Sequence, residues 1–152
     1  MGRLVSAVVA LALAAAGCGG QAPTPLADGC TASAEGIVAA LATAPEPVVL
    51  EDGSPLSRCV RDGTDDGELQ TVGITFSRAA EQLRATAETD PEAALQLGYL
   101  VGVTQKGAAR TNGVMAELVR RIEIVAGRTS DDATPQARRA IEDGLAAGAA
   151  TG

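Results

Sequence analysis

Residues 68–87 read ELQTVGITFSRAAEQLRATA, the cleanest helical periodicity in the chain. Leu69, Val72, Phe76, Ala79, Ala80, Leu83 and Ala87 recur at intervals of three and four, so they share one stripe of a helix. Glu81, Gln82, Arg84 and Glu88 fall mostly off that stripe and face water. Phe76 sits in its middle and reads as a core plug rather than a ligand-facing ring. Asp65, with Glu68 three residues on, has the spacing of a capping box. The helix therefore starts after the turn-rich acidic run Asp62–Gly67 and is followed by a fresh start at Asp90-Pro91, an N-cap with proline at the first helical position.

The same pattern extends in both directions. Upstream, Ala34, Ile37, Val38 and Leu41 predict a helix over 31–43, closed by Pro45 and Pro47. Val48–Leu50 and Leu56–Val60 flank Asp52-Gly53, which predicts a short hairpin or an irregular loop. Downstream of Asp90, Ala94, Leu97, Val101, Thr104 and Ala108 form the next stripe, with Leu100 beside it. Asn112-Gly113 either breaks or dents that helix; Val114, Met115, Leu118, Val119, Ile122 and Val125 then form another apolar face. Gly127 and Arg128 are expected to end it, leaving Thr129–Asp132 as a polar loop. Thr134-Pro135 starts a last helix through Ala137, Ala140, Ile141, Gly144 and Leu145, which is expected to fray near Gly148 into a disordered tail, 149–152. The expected fold is all-α: a small bundle of four to five amphipathic helices.

Two glycines four apart, Gly98 and Gly102, share one helix face. Each costs roughly 1 kcal/mol against Ala in a helix interior, so a compensating close approach of another helix is the favoured reading. The alternative is a groove for a ligand lined by Gly98, Gly102, Tyr99, Phe76 and Met115.

The first residues belong to a different category. Met1-Gly2-Arg3 precedes an apolar run, Leu4–Ala16, that ends Ala15-Ala16-Gly17-Cys18. A basic start, a short apolar stretch and small residues at a cut site form a secretory signal. Small residues ending on a cysteine resemble the lipobox of bacterial membrane lipoproteins. The resemblance implies that residues 1–17 are removed and that Cys18 becomes the fatty-acylated first residue, tethered to the non-cytoplasmic side of a membrane in the cell envelope. If Cys18 is not acylated, the chain is simply secreted. Residues 18–29 then read as acylated cysteine and flexible tether, and 30–148 as one helical domain.

With Cys18 assigned to the anchor, Cys30 and Cys59 remain as an even pair in an oxidising compartment, and a disulfide between them is expected. The loop it closes is long enough to stabilise the fold by about 3–4 kcal/mol in the chain-entropy account.

Composition narrows the function. Without Arg3 the mature chain has 11 basic and 19 acidic side chains and a single Lys, so nucleic acid is not an expected partner. With no His, the common neutral-pH acid/base and the usual hydrolytic triad are missing. No phosphate-loop, dinucleotide or nucleophile-elbow motif occurs. Asp62, Thr64, Asp66 and Gly67 sketch the start of a calcium loop, but the position needing a bidentate Glu holds Gly73. The expectation is a non-enzymatic structural or interaction domain without cofactor or metal, held at the membrane through its lipid. The doubled arginines, Arg120-Arg121 and Arg138-Arg139, read as surface partners of Glu117, Glu123, Glu142 or Asp143, with a docking patch for an envelope protein as the alternative. The rival readings are a small-ligand-binding lipoprotein and a carboxylate-dependent glycan hydrolase with two convergent acids.

Overall fold

The computed structural model describes residues 26–63, 65–109, 111 and 113–152. A 3-10 turn at Asp28–Thr31 leads into six helices: α1 (Ala34–Leu41), α2 (Ser57–Asp62), α3 (Asp66–Ala87), α4 (Pro91–Ala108), α5 (Val114–Asp132) and α6 (Pro135–Thr151). Among the described residues there is no strand, and the fold is a small all-α bundle.

The caps fall where side-chain oxygens can satisfy orphan N–H groups. Ser33 accepts from Gly36 N–H at the start of α1, Asp65 from Gly67 and Glu68 N–H at α3, and Asp90 from Glu92 N–H at α4. Thr134 accepts from Ala137 N–H ahead of Pro135 at α6. Gly113, at φ 69°, breaks the chain between α4 and α5, so 91–126 is two helices; an L side chain there would be strained.

Four expectations are corrected. The apolar run Leu56–Val60 is no strand: Ser57–Asp62 is helical, and Leu56, Cys59 and Val60 are buried at three- and four-residue spacing. Of the hairpin only an isolated bridge, Val49 to Pro55, survives around the turn at Gly53. Second, α5 does not stop at Gly127 but runs to Asp132. Thr129 turns inward, almost fully buried, with its hydroxyl donating to Val125 O. Pro135 sets the true limit, since the residue before a proline is pushed to extended backbone and Thr134 has ψ 154°. Third, 149–152 is not a frayed tail: α6 reaches Thr151, and Lys106 Nζ donates to Ala150 O. Fourth, packing begins before Cys30: Leu26 and Ala27 lie against the core, and Gly29 N–H donates to Asp52. Residues 26–29 therefore pack with the helical domain.

Short turns make each of α4 to α6 antiparallel to the one before it, so α3 runs parallel to α5 and α4 to α6. Thr134 N–H donates to Glu88 O and joins the two turns at one end. Helix α4 is the centre, touching α1, α2, α3, α5 and α6. The stripe read from α3 is buried as expected at Val72, Phe76, Ala79, Ala80, Leu83 and Ala87. Cys30 and Cys59 form a disulfide with Cα atoms 5.2 Å apart, both sulfurs sealed in the core, and it staples the 3-10 turn to α2.

Candidate functional site

The residues singled out as a ligand face do not gather around a cavity. Phe76 and Tyr99 are wholly buried and Met115 is 2% exposed, all within the packed core. Gly98 and Gly102 face α6, where Gly144 and Gly148 face back. A Cβ on Gly98 would meet the Ile141 carbonyl, and one on Gly102 would lie 2.6 Å from Ala149 N. A Cβ on Gly144 would lie 2.8 Å from Tyr99 N, and one on Gly148 would meet the Tyr99 carbonyl. Four glycines in two four-residue pairs thus set two parallel backbones in contact. Gly107 does the same for α2: a Cβ there would stand 2.6 Å from Ser57 O. Gly98 also borders a shallow dent of about 210 Å³ between α4, α5 and α6.

Tyr99, the one tyrosine, has a structural task. Val48 N–H donates to its hydroxyl at 3.0 Å, and the hydroxyl lies 2.9 Å from Thr151 Oγ1. Thr151 already donates its proton to Ala147 O, so Tyr99 must be the donor to Thr151. The chain Val48 N–H, Tyr99 O–H, Thr151 O–H, Ala147 O is fully satisfied and pins the segment before α2 and the end of α6 to the central helix.

The functional candidates therefore lie on the surface. The first is a groove of about 430 Å³ between α3 and α5, floored by Leu69, Gly73, Ile74 and Leu118 and edged by Arg78, Glu117 and Arg121. It continues past Ile122, Ile124 and Val125 to Arg128. Ile74 is 45% and Ile124 38% exposed, and with Val49 they are the exposed large hydrophobics among the described residues. Neither lies on the buried stripe of its helix, which is why stripe counting passed over them. Being apolar off the stripe was the available signal.

The groove's charge is unlike the rest of the domain. Arg120 and Arg121 both donate to Glu117, whose carboxyl is held down to about 2, chiefly by the Arg120 hydrogen bond and then by Arg121. Two cations share one anion. Arg84 pairs with Glu81. Arg78 helps to hold the Glu35 carboxyl below its usual range, and Arg128 shares a hollow with Glu81, Glu88 and Asp132. By contrast, residues 28–68 carry nine acids against Arg58 and Arg61.

The second surface is a hollow of about 650 Å³ beside α1, with Asp28, Glu51 and Asp52 on its rim and Val49 exposed at its edge. Backbone N–H groups of Ser54 and then Gly29 hold the Asp52 carboxyl below its usual range. Its rim is anionic and hydrogen-bonded into the turn.

The carboxylates that shift do so downward. Asp62 is lowered first by its bond from Arg61, and Glu35 by its own backbone N–H, then by Ser33 and Gln82. A general acid for glycoside cleavage needs the opposite direction. In the calcium-like run, Asp62 accepts from Arg58 and Arg61 and Asp65 caps α3, while Thr64 lies outside the described residues. Among the described residues no three Cys, Asp or Glu side chains gather to hold a metal. Of the doubled arginines, Arg138 caps α5, donating to the carbonyls of Ser130 and Ala133. Only Arg121 reaches the groove. Cys18 lies outside the described residues, and none of the described helices is long and apolar enough to cross a membrane.

No protein family, curated protein or solved structure matches this chain.

Proposed function

We propose that the protein is an envelope lipoprotein, anchored through acylated Cys18, whose helical domain is an interaction module that docks a partner along the α3/α5 groove. One observation carries the docking reading. The largest side chains are sealed in the core, while Ile74 and Ile124 stand in water along a single groove beside Arg78, Arg121 and Arg128. Exposed apolar residues gathered in one groove and rimmed by charge mark interaction sites rather than random surface. The anchor reading rests on the lipobox-like run ending at Cys18. A small-ligand role for Gly98, Gly102, Tyr99, Phe76 and Met115 loses its support, because these side chains and backbones already fill one another's space.

Two measurements test this reading. Intact mass of the membrane-extracted protein should lack residues 1–17 and carry diacylglycerol or more; an unmodified chain in the soluble fraction refutes the anchor. Native mass analysis of a mild detergent extract should show the protein in a particle heavier than itself. The double substitution Ile74→Asp, Ile124→Asp should release it with its helical spectrum intact. A wild-type protein that is already solitary refutes docking.

A further inference from the structure

The occupant of the α3/α5 groove can be specified by its chemistry. We propose that it is an amphipathic helix of a partner protein with an apolar stripe and acidic flanks. The proposal rests on the docking reading above and adds the partner's shape and charge.

The shape follows from the groove's walls. Helices α3 and α5 run parallel, with the apolar floor extending lengthwise from Leu69 past Ile74 and Ile124 to Val125. Two neighbouring helices leave between them a furrow that a third helix fills with side chains at i, i+3, i+4 and i+7. A helix seated there would complete a four-helix arrangement with α3, α4 and α5. The furrow is open along its length, which suits a helix better than a lipid chain needing enclosure.

The charge follows from the rim. Of the charged side chains that line the groove, the cations Arg78, Arg121 and Arg128 stand against the acids Glu81 and Glu117. This local positive excess sits on a domain that is strongly acidic elsewhere. Acidic flanks would meet it, whereas basic flanks would be repelled, and complementary rim charge of this kind governs encounter rate and partner choice. A second copy fits poorly. Two copies set face to face would bring the same three arginines together, and the rest of each net-acidic copy would repel the other.

The test uses the full chain as processed, held in phosphatidylcholine liposomes if it is acylated. Two synthetic helical peptides of about five turns share one Leu/Ala stripe; one carries Glu flanks and the other Lys flanks. Titration is followed by the methyl resonances of Ile74 and Ile124. The Glu peptide should bind at least about tenfold more tightly and weaken as salt rises to about 0.5 M. The double variant Arg78→Glu, Arg128→Glu, both at exposed positions, should keep its helical spectrum and reverse the preference toward the Lys peptide. Equal binding of the two peptides, or no reversal, overturns the proposal. So does perturbation of the same methyls by phosphatidylglycerol vesicles instead of peptide, or by raising the protein concentration alone. If neither peptide binds while the Ile74→Asp, Ile124→Asp pair still dissolves the native particle, the acidic-helix assignment falls and docking stands. If that particle is also absent, both fall.

Discussion

One substitution, glycine to alanine, should have opposite signs at two helical positions. At Gly102 the new methyl would lie 2.6 Å from Ala149 N and 2.9 Å from Gly148 C, with the Leu145 carbonyl closer still. These are backbone atoms and cannot rotate away, so α4 and α6 must part by about 1 Å. A gap of that size forfeits a quarter to a half of each dispersion contact across the seam. Overpacking of this sort costs about 1–3 kcal/mol, and the better helix propensity of Ala returns at most roughly 1 kcal/mol. The net loss is on the order of 1–2 kcal/mol. At Gly127, inside α5, an added Cβ meets nothing within 4 Å, so only the propensity gain of up to about 1 kcal/mol remains. At this chain length the two variants should melt about 10 °C apart, one below wild type and one above it. Thermal and urea unfolding followed by circular dichroism would read the difference. If both substitutions shift the midpoint in the same direction, the parallel seam of α4 and α6 is wrong.

Three further outcomes are expected. Tyr99→Phe strips the acceptor from buried Val48 N–H and the donor from Thr151, and should cost about 1–3 kcal/mol in urea unfolding; an unchanged midpoint refutes the network. Replacing Cys30 and Cys59 together by Ser should lower stability by about 3–4 kcal/mol, read by the same assay, with near-wild-type stability contradicting the staple. For Glu117 the folded pKa, about 2, lies below the ordinary 4.5, so the stabilisation is present above 4.5 and lost as pH falls toward 2. The ion pair is open to solvent, so salt should shrink the effect. Carboxyl NMR should show Glu117 titrating near the bottom of that window, and Arg120→Ala should move it upward.

What was legible in the sequence is what local chemistry dictates. Stripe period and capping residues located α3 and the starts of α4 and α6, because Asp65, Asp90 and Thr134 act within one turn of their own position. The Cys30–Cys59 bond followed from counting, and Gly98 and Gly102 were readable as contact residues from their spacing alone. Their partner helix was not, since Gly144 and Gly148 lie more than 40 positions away and nothing local selects α6 over α3. Helix α2 was missed although Leu56, Cys59 and Val60 have helical spacing, because a short apolar run after Asp52-Gly53 resembles a strand as much as a helical turn. Glycine at position 127 was read as a stop, yet tertiary burial of Ala126 and Thr129 carries α5 through it. The groove was the least legible feature. It depends on which off-stripe residues two non-adjacent helices bring side by side, and stripe counting discards those residues first.

Recognition on the α3/α5 face, outside a filled core, is what we propose for this domain. Photo-crosslinking residues placed one at a time at positions 74, 124, 49 and 139 in living cells would capture whatever docks there. The prediction is one discrete adduct of the same mass from 74 and 124, and none from 49 or 139. Adducts from 49 or 139 alone, or an equal smear from all four positions, would contradict it.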